Sequence, residues 1–218
     1  MSSETIAGKG SRFGRAVEIF KDNGGVLRTA QAFRAGVHPE TLYALRDSGV
    51  IERISRGLYR LADSQPMGHP DLVTVAARVS AGVICLISAL SFHELTTQIP
   101  HEVHVALPYG AEEPRLEFPS IKTYRFSGQA YTGGVEIHEL DGFAVRIYSP
   151  EKTLADCFKF RNRVGQDTAI EAIRFYRERK QVDVASLMHY AGICRVKKII
   201  RPYLEVLLCR SGVTLICD

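Results

Sequence analysis

No stretch of the 218 residues is apolar for long enough to cross a bilayer. The longest hydrophobic run, residues 83–90, is interrupted by Ser88, whereas a spanning helix takes about 18 unbroken apolar residues. Residues 1–10 are polar and lack the basic-then-apolar layout of a secretion signal. There is no C-x-x-C pair, and the five cysteines (85, 157, 194, 209 and 217) are odd in number. That excludes a disulfide framework or a paired zinc site and leaves the cysteines as small hydrophobes of a reduced, cytoplasmic protein. A Gly-rich phosphate loop of the Walker type, a G-x-S-x-G elbow, internal repeats and low-complexity tracts are missing as well. The expectation is a chain without cofactor or metal.

What is present is a globular composition, 45% hydrophobic and 24% charged, long enough for two small domains or one large one. The net charge of +4 is only a mild hint of a polyanionic partner. Its distribution says more. Residues 1–65 carry ten Lys/Arg against seven Asp/Glu, residues 66–150 five against nine, and residues 151–218 thirteen against eight, so two basic ends flank an acidic middle.

Helical spacing of Phe13, Val17 and Phe20 predicts a first helix from about Ser11 that stops at Asn23-Gly24-Gly25. Thr29 is a candidate N-cap for a short second helix through Arg34, ended by Gly36. Val37-His38-Pro39-Glu40 then starts a third helix, with proline at its first position and Val37 stapled onto Leu42. Residues 50–61 alternate β-branched and aromatic side chains around Arg56-Gly57, which predicts a hairpin. The polar stretch 63–68 is the best linker, giving domains 1–65 and 66–218. Beyond it come helices at 70–79 and 88–95, a buried strand at 83–86, strands at 102–107, 121–126, 135–140 and 143–148, and helices from Ser149-Pro150-Glu151 onward, the last spanning 193–208 with a break at Pro202. The fold class is therefore α+β: an N-terminal winged helix-turn-helix followed by a mixed α/β domain ending in helices.

A helix pair with a Gly-containing turn, followed by a hairpin, places the second helix of the pair in a DNA major groove. Leu42, Leu45 and Gly49 share its inner side, while Glu40, Tyr43, Ala44 and Asp47 point away. His38, Glu40, Thr41 and Tyr43 are then the candidates for base edges and phosphates, and Arg46 for a phosphate. On the wing the candidates are Arg53, Ser55, Arg56 and Arg60. A two-residue turn at 56–57 sets Arg53 opposite Arg60, a like-charge pair that makes sense beside a polyanion. The competing reading is a protein-contact module whose arginines form a solvated face.

Residues 36–61, G-V-H-P-E-T-L-Y-A-L-R-D-S-G-V-I-E-R-I-S-R-G-L-Y-R-L, resemble the N-terminal winged helix of AbiEi-type antitoxins, the transcriptional regulators of type IV toxin-antitoxin systems. Residues 83–96 (V-I-C-L-I-S-A-L-S-F-H-E-L-T), 102–108 (E-V-H-V-A-L-P) and 149–156 (S-P-E-K-T-L-A-D) resemble that family's C-terminal domain in order and spacing. The resemblance implies a repressor of its own operon that binds inverted repeats in double-stranded DNA, with two copies on the operator. It also implies a C-terminal domain that neutralises a nucleotidyltransferase-type toxin, without requiring a stable complex with it. The basic face implied for antitoxicity comprises Arg161, Arg163, Arg195, Lys197, Lys198 and Arg201, with Arg174, Arg177, Arg179 and Lys180 between them. The alternatives are a stand-alone winged-helix regulator and a metal-dependent nucleic-acid enzyme. The latter draws on Glu139 and Asp141 before a turn, or on Glu151, Lys152 and Asp156. An i,i+4 ion pair, on the helix surface or partly buried, explains Lys152 and Asp156 equally well. His101 and His104 fall on opposite faces of a strand and do not converge, and His93 on its apolar helix reads as structural.

Overall fold

The computed structural model describes residues 4–64, 67–179 and 181–208. Its elements are α1 (Glu4–Asp22), β1 (Val26–Arg28), α2 (Thr29–Arg34), α3 (Pro39–Asp47), β2 (Ile51–Ser55), β3 (Leu58–Leu61), α4 (Pro70–Arg78), β4 (Val83–Ile84), α5 (Leu86–Phe92) and β5 (Val103–Pro108). Then follow β6 (Ile121–Phe126), α6 (Gln129–Thr132), β7 (Val135–Leu140), β8 (Phe143–Tyr148), α7 (Pro150–Lys159), α8 (Arg161–Val164), α9 (Gln166–Glu178), α10 (Val184–Ile193) and α11 (Lys197–Leu208). Chain contacts divide these into two compact units, residues 1–80 with 138–145, and residues 81–137 with 146–218. Lys180 of the expected basic face lies outside the described residues, as do Cys209 and Cys217.

The first unit is a winged helix. Phe20, Ala32, Leu42, Leu45 and Ile51 are fully buried together with Leu27, Val37, Tyr59 and Leu61, so that α1, α2, α3 and the sheet share one core. α1 begins at Glu4, earlier than Ser11. Thr29 is not the cap of α2. β1 runs to Arg28, which takes the cap position, and its N–H donates to Gln31 Oε1 at 3.0 Å. Thr29 instead donates its N–H (2.9 Å) and hydroxyl (3.3 Å) to the carbonyl of Gly57, at the turn between β2 and β3. The hairpin is also not two-stranded: β1 adds to β3, giving a sheet in the order β1-β3-β2.

The second unit is built around α7. Ser149 caps it, its Oγ accepting from the N–H of Lys152 at 3.2 Å, with Pro150 at the first helical position. Every residue from Lys152 to Phe158 is buried. α5, α9 and α10 pack around this helix, which is why it carries no solvated face. Lys152 and Asp156 form an ion pair with both side chains wholly out of solvent, where the sequence suggested a surface or partly buried pair. The Lys152 ammonium lies 4.2 Å from the centre of the Tyr148 ring and 4.9 Å from that of Phe126, and Cys194 Sγ donates to Asp156 Oδ1 at 3.1 Å. Burial pushes the thiols of Cys85, Cys157 and Cys194 up, in keeping with packing residues. The five-stranded sheet runs β6-β5-β4-β8-β7, with β5 and β6 parallel in the register Val103↔Ile121. The helix expected over 193–208 with a break at Pro202 is instead interrupted after Ile193, where Arg195 adopts φ +60°, and α11 then runs through Pro202.

Candidate nucleic-acid interface

α3 is held from below and open above. Leu42 and Leu45 have no exposed surface, whereas His38, Glu40, Tyr43 and Arg46 are exposed and Thr41 is half-exposed. Pro39 fixes the start of the helix. The N-cap His38 offers no side-chain hydrogen bond, so the first-turn N–H groups keep no side-chain partner. At the other end Gly49 (φ +73°) reverses the chain: its N–H and that of Val50 donate to the carbonyls of Arg46 and Leu45 at 3.0 Å each. Gly49 is thus an exposed cap, not the core position that helical geometry suggested.

The outward side chains are partly organised among themselves. Arg46 stacks over Tyr43 at 5.2 Å and donates to the single oxygen Oδ1 of Asp47 from both Nε (2.8 Å) and Nη2 (2.6 Å). His38 Nδ1 lies 4.0 Å from Glu40 Oε2. The outer surface of α3 therefore mixes donors and acceptors, as base edges do. A groove of about 440 Å3 adjoins it, lined by Arg12, Arg15 and Ile19 of α1 together with Gly36, His38, Glu40 and Thr41. Sequence reasoning missed Arg12 and Arg15. Their signal was present, since both lie on the polar side of the helix that Phe13, Val17 and Phe20 define.

The wing departs from expectation in register. A bulge between Arg53 and Ser55 shifts the pairing to Arg53↔Tyr59 and Glu52↔Arg60. Arg60 therefore faces Glu52, with which it forms an ion pair, and not Arg53. The pairing of two arginines is corrected: Arg60 is largely covered and neutralised locally. The Ser55 hydroxyl is buried. Arg53, whose Nε donates to the carbonyl of Ser55 at 3.2 Å, and Arg56 at the tip remain exposed. Gly57 (φ +75°) closes the turn.

In the second unit, Arg161 donates to the carbonyl of Phe158 at 2.9 Å, Arg163 stacks on Phe160 at 6.0 Å, and Arg201 pairs with Glu205 at 2.7 Å. Arg195, Lys197 and Lys198 are exposed. α8 and α11, which carry these groups apart from Arg195 in the turn before α11, both pack on α9. Of the residues considered for catalysis, Lys152 and Asp156 are sealed in the core. His93 Nε2 lies 2.7 Å from the carbonyl of Tyr148. His104 is buried beside Tyr124, its ring 5.3 Å away.

Over nearly its whole length the chain is similar to the RV2827C protein from Mycobacterium tuberculosis. The match has a TM-score of 0.53 at 14% identity and covers 94% of this chain and 83% of that one, a likeness of fold. No curated protein matches it significantly. Residues 15–62 match the family described as transcriptional regulator, AbiEi antitoxin, and they run from within α1 through the end of β3, the span that builds the core and wing described above. The N-terminal unit of this chain is thus a winged helix in which residues 15–62 are similar to the AbiEi antitoxin transcriptional-regulator family.

Proposed function

We propose that the protein is a DNA-binding antitoxin that represses its own toxin-antitoxin operon by setting α3 into the major groove of inverted repeats, two copies to an operator. The observation that carries this is the two-sidedness of α3. Leu42 and Leu45 anchor it, and His38, Glu40, Thr41 and Tyr43 face outward beside the exposed arginines 53 and 56. Such a helix gives base contacts from its first half, while the wing gives phosphate contacts. The second unit, with Arg161, Arg163, Arg195, Lys197 and Lys198 on its surface, is then the part that counters a nucleotidyltransferase-type toxin. The resemblance of residues 83–96, 102–108 and 149–156 to the C-terminal domain of AbiEi-type antitoxins supports this. An enzymatic reading built on Lys152 and Asp156 is disfavoured by their complete burial, which keeps them from any substrate.

A gel shift with the duplex upstream of the reading frame tests the proposal. Binding at low salt that weakens steeply as salt rises is expected, each neutralised phosphate adding about −0.9 to the slope of log K against log salt. No binding at low salt overturns it. Co-expression with the toxin encoded in the neighbouring frame tests the second half. Growth rescued by a chain carrying Lys197→Ala, Lys198→Ala and Arg201→Ala as fully as by the wild type removes the basic segment from the antitoxic surface.

A further inference from the structure

Apart from α3 and the wing, the first unit holds a second concentration of positive charge. Arg28 ends β1, Arg34 ends α2, and Arg78 ends α4, a helix that lies beyond the matched residues 15–62. Arg28 Nη2 donates to the carbonyl of Ala76 at 3.0 Å, and Arg78 Nη1 donates to the carbonyl of Arg56 at 3.1 Å. The last turn of α4 is thereby fastened to β1 on one side and to the tip of the wing on the other. Arg28 is half-buried and its Nε has no hydrogen-bond partner. Burial first, then the positive charges of Arg78 and Arg34, hold its guanidinium below its ordinary value. Among the described residues no carboxylate forms an ion pair with Arg28, Arg34, Arg56 or Arg78.

Guanidinium groups gathered without a counter-charge repel one another, and the loss is recovered when an anion sits among them. We propose that Arg28, Arg34, Arg56 and Arg78 form one phosphate-binding patch, which carries the DNA surface from the wing onto α4 and takes phosphates of the duplex backbone flanking the bases that α3 reads. This rests on the DNA-binding reading and adds to it a backbone contact supplied from outside the family-matched segment. Because phosphates are the same in every sequence, the patch strengthens binding to all duplexes alike and leaves discrimination to α3.

The experiment measures binding of the full-length protein to the upstream duplex and to an unrelated duplex over a range of salt. It uses the wild type, Arg34→Ala/Arg78→Ala and Arg34→Lys/Arg78→Lys. The alanine pair is expected to weaken both duplexes by the same factor and to make the salt slope shallower by about 1.8, two contacts at roughly 0.9 each, and the lysine pair to keep the wild-type slope. Far-UV circular dichroism and a urea midpoint establish that the variants are folded. Should the alanine pair unfold, Arg34→Ala alone serves. Apart from charge, the Arg34 side chain makes only an intrahelical hydrogen bond, to the carbonyl of Ala30, and its loss is expected to reduce the slope by about 0.9. A folded alanine variant with the wild-type slope overturns the patch, as does a lysine pair that loses the slope too, which would make Arg78 a brace for the wing. If Arg53→Ala/Arg56→Ala weakens binding while the Arg34 and Arg78 variants do not, the DNA reading stands and the patch falls. If the wild type binds no duplex at low salt, both fall.

Discussion

The buried titratable groups carry the sharpest single-residue predictions. Asp156 is pushed up by burial and pulled down by Lys152 beside it. Neither side chain touches solvent. Asp156→Ala leaves an ammonium in the core with only the rings of Tyr148 and Phe126 beside it, and is expected to cost about 3–5 kcal/mol in urea unfolding. Lys152→Met/Asp156→Leu, which removes both charges at similar volume, is expected to recover most of that. A double variant as damaged as the single one would show that the pair stabilises through something other than mutual neutralisation. His104 is the acid-sensitive site. Burial lowers it to about 4, with Glu102 opposing that shift and Lys122 adding to it. The unfolded chain takes up its proton near 6.5. Between these values the unfolded state binds more protons than the folded one, so stability falls as the pH drops from 6.5 toward 4 and levels below that. From pH 7 to 5 the loss from this group is about 2 kcal/mol, and His104→Gln is expected to flatten that part of the curve. An unchanged pH dependence in the variant would assign the acid loss to other groups.

The elements divide the work of recognition. α3 is a rigid base: Leu45→Ala empties a fully buried position and is expected to cost about 2–5 kcal/mol of stability, and to abolish DNA binding only through unfolding. Thr41→Ala and Tyr43→Ala sit on the outer side of the same helix. Each is expected to leave the urea midpoint nearly unmoved and to lower discrimination between the operator and unrelated duplex, a good base contact being worth on the order of 1–3 kcal/mol. The bulge in β2 sets a different expectation for the two ends of the wing. Arg53→Ala/Arg56→Ala is expected to weaken binding to every duplex and flatten the salt slope. Arg60→Ala, whose partner is Glu52, is expected to change the slope much less. Equal slopes for the two variants would mean that Arg60 releases Glu52 and turns to DNA on binding.

At the scale of the whole molecule, the compact first unit is larger than residues 1–65. It takes in α4, whose Ala76 and Arg78 hold Arg28 and the wing tip, and residues 138–145, where Gly142 packs on Gly24 so closely that an added Cβ would lie 2.7 Å from the Gly24 Cα. A fragment of residues 1–65 is therefore expected to bind DNA more weakly and to unfold at lower urea than the intact chain, and Gly142→Val to destabilise the first unit in the full-length protein. A 1–65 fragment with the midpoint of the first unit in the intact chain would show that α4 and residues 138–145 contribute nothing to it. The sequence by itself determined the helix pair, the hairpin, the four later strands and the cap at Ser149, because each is signalled locally by spacing, proline, glycine or β-branched runs. It also marked Glu40, Tyr43 and Asp47 as outward and Thr41 as a shoulder position, since helical periodicity with Leu42 and Leu45 inside turns them away from the core. Only the tertiary structure decided that Arg60 meets Glu52, since a one-residue bulge changes every partner while leaving local propensity untouched. Likewise only packing on all sides could turn Lys152 and Asp156, spaced like any solvated i,i+4 pair, into a core ion pair. The same holds for Arg28, Arg34 and Arg78: they stand up to 50 residues apart, and the fold alone brings their charges together.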